Sequence, residues 1–188
     1  IWLASADVVA VLLAFVGQLI LARALLSESY GLLVIAIDLF ATLFLLLDLG
    51  LPTLLARDGP RKPSAIWSGM MRIYRFQGIA VLIFVPISVS ITLMQSVHDT
   101  LMLIGAGVAL VHIASYAPRT ALRAAGDARF ESLTKVIERI ATTAGYGILF
   151  LINSTDVVAY ASVFLVGAIL GLSIALVGAY RVCGKSGQ

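Results

Sequence analysis

The sequence predicts an all-α, polytopic membrane protein built as one bundle of six transmembrane helices. Three observations lead there. Of the 188 residues, 61% are hydrophobic and only 12% charged. A soluble domain of this size cannot bury that much apolar surface, whereas a bilayer accepts it all round each helix. The apolar residues gather into six runs, at about 2–24, 30–51, 65–94, 101–124, 131–152 and 157–181. Each is long enough to cross, since a span needs roughly 20 such residues. If the runs alternate in direction, all of the 13 Lys and Arg residues except Arg23 fall on one side.

Helices suit these runs better than barrel strands, which alternate in and out over roughly 10 residues. A helix also satisfies its own backbone hydrogen bonds, which lipid cannot do. The first run carries Asp7 and Gln18, about three turns apart and so on one face, and ends near Arg23. The second carries Asp38, then Thr42 one turn on, with Asp48 near its end. The third is longer than one crossing and is expected to tilt or to project from the bilayer. It contains Pro86, and the fourth contains Pro118. Each removes a backbone donor and favours a bend. The fourth also shows a polar stripe of His112, Ser115, Arg119 and Arg123 at helical spacing. The fifth places Glu131, Lys135, Glu138 and Thr142 on one face, with Tyr146 one turn further. The sixth holds Gly167 and Gly171, a small-xxx-small pair that permits close helix contact within the bundle.

The connections fix an expected direction. Arg57, Arg61, Lys62, Arg72, Arg75, Arg119, Arg123, Arg129, Lys135, Arg139, Arg181 and Lys185 flank the even-numbered connections and the chain end. The opposite connections, Ser27-Glu28-Ser29, 95–100 and 153–156, carry no Lys or Arg. The positive-inside rule then puts both ends in the cytoplasm of a cell (plasma or inner) membrane. Asn153-Ser154-Thr155 is a glycosylation-type triplet close to the membrane. The one cysteine, Cys183, cannot form an internal disulfide. The chain opens at Ile1, with no basic segment or cleavage site before the first run. The expectation is a piece of a longer protein, without a signal peptide.

Charges at membrane depth are costly and usually face a bundle interior or a wet cavity. Arg23 and Asp38 are candidates for an ion pair across the first turn, or for an anion-binding arginine balanced by a carboxylate. Asp7 and Asp48 lie near the cytoplasmic interface, where solvent, Arg72 or Arg119 would satisfy them. Glu131 or Glu138 is expected to neutralise Arg119 or Arg123 across the Gly126-Asp127 turn. What remains is either a set of interfacial salt bridges or a cationic vestibule for a phosphorylated headgroup. His112 is a candidate titrating group or a hydrogen-bonded structural residue. No phosphate-cradling loop, nucleophile elbow or His/Cys cluster is present, and the only histidines are His98 and His112. An enzyme, a metal site and a nucleic-acid partner are therefore not expected.

Leu21-Ala22-Arg23-Ala24-Leu25-Leu26-Ser27-Glu28-Ser29-Tyr30-Gly31 resembles the helix 1–2 junction of the polysaccharide-biosynthesis flippases. Asp48-Leu49-Gly50-Leu51-Pro52 followed by Arg57 is similar to the end of helix 2 in that family. Leu122-Arg123-Ala124-Ala125-Gly126-Asp127-Ala128-Arg129-Phe130-Glu131 resembles its cytoplasmic helix 4–5 turn. The Gly-Pro that usually precedes the glutamate of the first motif is absent here. The three motifs come in family order, and the hydropathy match covers the whole chain.

The resemblance implies one lobe of a two-lobed exporter of the multidrug/oligosaccharidyl-lipid/polysaccharide superfamily, with the second lobe outside this chain. It implies a polyprenyl-(di)phosphate-linked oligosaccharide moved across the membrane by alternating access. The expected substrate-binding residues are Arg23, Asp38, Gln18, Arg119 and Arg123. Asp7, Asp48 and His112 are the candidates for coupling or gating, and Asp38 for charge balance. No cofactor is expected, and Na+ or H+ coupling is an open alternative. The expected partners are membrane lipids, the lipid-linked glycan and glycan-synthesis enzymes. Two other readings compete: a non-transporting scaffold of a glycan-synthesis complex, and a multidrug or cation antiporter of the same superfamily.

Overall fold

In the computed structural model, every element among the described residues is helical. The structure describes residues 2–48, 50–95 and 99–184, without the side chains of 2, 3, 44, 46–48, 94, 95 and 99. The helices are α1 (Trp2–Ala24), α2 (Ser27–Asp48), α3 (Leu51–Asp58), α4 (Ile66–Gln95), α5 (Asp99–Ala124), α6 (Ala128–Leu151) and α7 (Val157–Ala179). Two 3-10 turns, Gly59–Arg61 and Pro63–Ala65, join α3 to α4, and a π turn at Tyr180–Gly184 continues α7. The Asp48 side chain, His98 and Lys185 lie outside the described set.

Four segments are long and apolar enough to cross a membrane: Ala4–Ala24, Pro63–Leu93, Thr100–Ala124 and Val157–Gly184. α6 is as long, but its first half carries Arg129, Glu131, Lys135, Glu138 and Arg139. α4 has 30 residues, which at the usual rise is about 45 Å, longer than a hydrocarbon core of about 30 Å. It runs through Pro86, as α5 runs through Pro118.

The run 30–51 proves to be parts of two elements. α2 stops at Asp48, and Gly50 takes a left-handed conformation, φ 67°, that a residue with a Cβ adopts only with strain. Pro52 then sits in the first turn of α3, where its missing N–H costs nothing. α3 is only 8 residues long and two-faced: Pro52 and Leu55 are buried, Arg57 and Asp58 exposed. Arg57 donates to Asp58 from Nε and Nη2, at 2.8 and 3.1 Å, and so holds the Asp58 carboxyl below the usual carboxylate range.

The turn between α5 and α6 is built the same way. Gly126, at φ 83°, ends α5 while the Asp127 amide returns to the Leu122 carbonyl. Asp127 then caps α6 by accepting from the Phe130 amide at 3.1 Å. This cap starts α6 at Ala128, ahead of the apolar run at 131 that announced it. Asp127→Ala is expected to cost about 1 kcal/mol. Thermal unfolding in detergent would read that loss, and an unchanged melting point would deny the cap its role.

α5 is the central post. It packs on α7, α2, α4 and α3, while α6 leans on α7 and carries α1 along its other side. One apolar core joins Leu21, Leu33, Phe40, Met102, Tyr146 and Tyr160. A second joins Leu55, Ile66, Met70, Ala121, Leu122 and Cys183 around the α3–α4 elbow. Apolar side chains also cover the outside. Phe15 on α1 and Ile79, Leu82 and Ile83 on α4 are all more than half exposed, Leu82 by 75%. Helices apolar on both inner and outer faces fit a lipid surround.

Candidate functional site

Two groups of polar side chains join helices within the bundle. The first is a network of charges where α1, α5 and α6 meet. Arg119 on α5 binds Glu138 on α6 through Nη2 and Oε2, and both side chains are largely buried. Arg123 forks onto Glu131, with Nε 3.0 Å from Oε2 and Nη2 on Oε1. Lys135 reaches Asp7 on α1 at 3.0 Å and Glu131, one turn back on its own helix, at 3.6 Å. A line of alternating charge thus runs from α1 through α6 to α5. The pairing anticipated between Glu131 or Glu138 and Arg119 or Arg123 is present, each carboxylate taking one arginine.

His112 lies one turn from Ser115, whose hydroxyl donates to the His112 carbonyl at 2.6 Å. Its Nε2 sits 3.4 Å from Glu138 Oε1 without forming a hydrogen bond, and its ring meets Phe164 edge-on. Glu138 therefore serves Arg119 and faces His112 together. Gly171 makes room for this. A Cβ there would lie 2.5 Å from Glu138 Oε2 and 3.1 Å from Arg119 Nη2. Gly167 likewise lets α7 close on Thr142 and on the backbone of α6.

The second group lies further along α6. Arg139 is one residue past Glu138 but points elsewhere, with its guanidinium 6.0 Å from the centre of the Phe164 ring. It lines a cavity of about 60 Å³ between α1, α2, α6 and α7, together with Gln18, Thr142, Thr143, Tyr146 and Phe164. That volume holds water but not a sugar. Tyr30 Oη donates to Gln18 Oε1 at 2.8 Å, joining α2 to α1 across the cavity mouth, and Thr143 Oγ1 donates to the Leu13 carbonyl at 3.0 Å. Among the described residues no carboxylate pairs with Arg139. From the start of α6, Arg139 lies about 17 Å along the axis, near the middle of the helix.

Other anticipated residues fall apart. Arg23 and Asp38 are both exposed and form no ion pair with each other. Arg23 ends α1 while Asp38 is about three turns into α2, roughly 16 Å along the axis, beyond the reach of both side chains. Asp7 is satisfied by Lys135, not by Arg72 or Arg119, because α1 packs along α6 and not along α4 or α5. Gln18 does reach the cavity. The sequence reading grouped Arg139 with the cations flanking the turn between its fourth and fifth runs and did not single it out as a site residue. The signal that would have found it is the stripe Arg139, Thr142, Thr143 and Tyr146, spaced as one helix face.

No group of three or more His, Cys, Asp or Glu side chains is placed to hold a metal ion among the described residues. No curated protein and no solved structure matches the chain. A family model described as "Polysaccharide biosynthesis protein" matches residues 1–186, nearly the whole sequence. With its apolar helices this marks a multi-pass membrane protein with a role in polysaccharide synthesis or export, and the chain belongs to the polysaccharide biosynthesis protein family.

Proposed function

We propose that this chain is one lobe of a flippase that carries a polyprenyl-(di)phosphate-linked oligosaccharide across the cell membrane by alternating access. In this reading it crosses six times, with both ends cytoplasmic, and works with a second lobe. The observation that carries the reading is Arg139: a guanidinium midway along α6, lining a cavity with Gln18 and Thr142, with no carboxylate ion-paired to it among the described residues. A charge so placed is costly unless an anion or water meets it. A polar headgroup cannot cross hydrocarbon unaided, and a fixed cation in a wet path lowers that barrier.

On this reading the residues take the following roles. Arg139 and Gln18 meet the phosphate or the first sugar. Arg23, Asp38 and Thr42, polar and exposed at membrane depth, line the path on the α1–α2 side that the second lobe faces. Arg119 and Arg123, already paired, hold the cytoplasmic end of the bundle and take part in gating when those pairs exchange. His112 and Asp7 are the coupling groups on this network, with Asp48 at the end of α2. An apolar groove of about 470 Å³ between α1 and α6, lined by Val9, Phe130, Leu133 and Val136, suits an isoprenyl tail.

The test is a flipping assay with the complete open reading frame in proteoliposomes and a fluorescent polyprenyl-diphosphate oligosaccharide. Arg139→Gln is expected to slow flipping by about 10- to 100-fold, the loss of one charged hydrogen bond to phosphate. Arg139→Lys should give an intermediate rate, since it keeps the charge but loses the planar fork. Full activity in Arg139→Gln would remove this site from the mechanism.

A further inference from the structure

The α3–α4 elbow leaves a groove of about 350 Å³ that the transport reading does not use. Leu54, Ile73 and Phe76 line it with apolar surface, and Lys62, Arg72 and Asp58 with charge. Leu54 and Phe76 are about half exposed, so the apolar wall is open to whatever surrounds the protein. Asp58 is already held by Arg57 through two hydrogen bonds. Lys62, Arg72 and Arg61 are exposed and make no ion-pair contact among the described residues, although Arg61 and Lys62 stand near enough to Asp58 to favour its charged form. The trough therefore carries net positive charge above an apolar floor.

Its depth is set by α4. Arg75 is that helix's last charge before the uncharged run 76–95, which at the usual rise is about 30 Å, one hydrocarbon thickness, so the groove lies at the end of α4 that leaves the hydrocarbon, the level of lipid headgroups. Lys62 precedes α4 and Arg72 stands in its second turn, and both border the one groove, so both can face the same headgroup. Two exposed cations outnumbering the one carboxylate, which Arg57 already holds, over apolar side chains that face outward, complement an amphiphile with an anionic head and a hydrocarbon tail. A soluble anion would satisfy the cations but leave the apolar wall bare.

We propose that the α3–α4 groove is a binding site for an anionic phospholipid, with Lys62 and Arg72 on the headgroup phosphate and Leu54, Ile73 and Phe76 along the start of an acyl chain. Arginine contacts phosphate oxygens in pairs, and lysine adds a point charge. Bound lipid braces the elbow, and the elbow in turn packs through Leu55, Ile66 and Met70 against α5, the post that carries Arg119 and His112. The site is independent of the transported glycan and does not use Arg139.

The experiment places the protein in nanodiscs of phosphatidylcholine with a minor share of phosphatidylglycerol, then counts retained lipids by native mass spectrometry after detergent release. The parent protein is expected to retain phosphatidylglycerol in preference to phosphatidylcholine. The double variant K62Q/R72Q should bind phosphatidylglycerol roughly thirtyfold more weakly, from the usual attraction of two basic side chains to an anionic surface. Arg181→Gln, exposed beyond α7, should match the parent. Phe76→Ser should weaken lipid retention and leave binding of inorganic phosphate unchanged. Equal retention of the two lipids by the parent overturns the proposal without reference to any variant. So does parental retention by K62Q/R72Q, or binding of inorganic phosphate that is lost in K62Q/R72Q while lipid retention persists.

Discussion

Glu138→Ala is expected to destabilise the bundle by about 3–5 kcal/mol, because it strands Arg119 as a buried charge. The Arg119 side chain is 15% exposed and that of Glu138 is 5%, so solvent cannot replace the lost carboxylate. Arg119 Nε already lacks a hydrogen-bond partner, which leaves the guanidinium more dependent on this one contact. The variant would also remove the carboxylate facing His112. Thermal or denaturant unfolding of the detergent-solubilised protein would measure the change. The matching double variant, Arg119→Met with Glu138→Leu, should recover most of the loss, since apolar replacements of a buried pair are often neutral. If Glu138→Ala were as stable as the parent, Arg119 would have a second source of compensation and the network would not be the brace described here. By contrast Arg123→Ala should cost less, because the buried Glu131 carboxylate it leaves behind keeps Lys135 at 3.6 Å as a second partner.

The long helices were legible because lipid imposes a simple rule: a span must be apolar for its full length. The short α3 was not, because its eight residues contain Pro52, Arg57 and Asp58 and so resemble a loop. Its start depends on one left-handed glycine, and that conformation is not written in hydropathy. The α5–α6 ion pairs were partly legible. Spacing put Arg119, Arg123, Glu131 and Glu138 on facing stripes, and the tight turn brought the stripes together. Which arginine met which glutamate needed the packing. The Asp7–Lys135 contact joins residues 128 apart in sequence, and nothing local foretells that α1 lies along α6. Arg139 was not singled out for a related reason. Counting cations by the loop they flank hides how far a residue stands inside its own helix.

Gly105→Leu is expected to cost about 3 kcal/mol or more, at or above the top of the usual range for overpacking. Even a single Cβ at this position would press against the Ala36 carbonyl of α2, and backbone cannot rotate out of the way as a side chain can. Here α2 and α5 cross closely enough that only glycine fits, and Gly105 and Ala36 are both fully enclosed. Two residues further on, Gly107 offers a control in the same helix. A Cβ there would meet Leu165 at an ordinary 3.6 Å. Gly107→Ala should therefore be neutral or gain up to about 1 kcal/mol from helix propensity, while Gly105→Ala should lose about 1–3 kcal/mol. Melting curves of the two alanine variants decide it. If they shift alike, the α2–α5 crossing is not held by backbone contact. If they diverge as expected, the crossing is rigid, and it fixes Asp38 on α2 relative to His112 and Arg119 on α5. Any opening of the cavity beside Arg139 must then come from movement of α1 and α6 against this pair, where Gln18 is tied to Tyr30 by a single hydrogen bond.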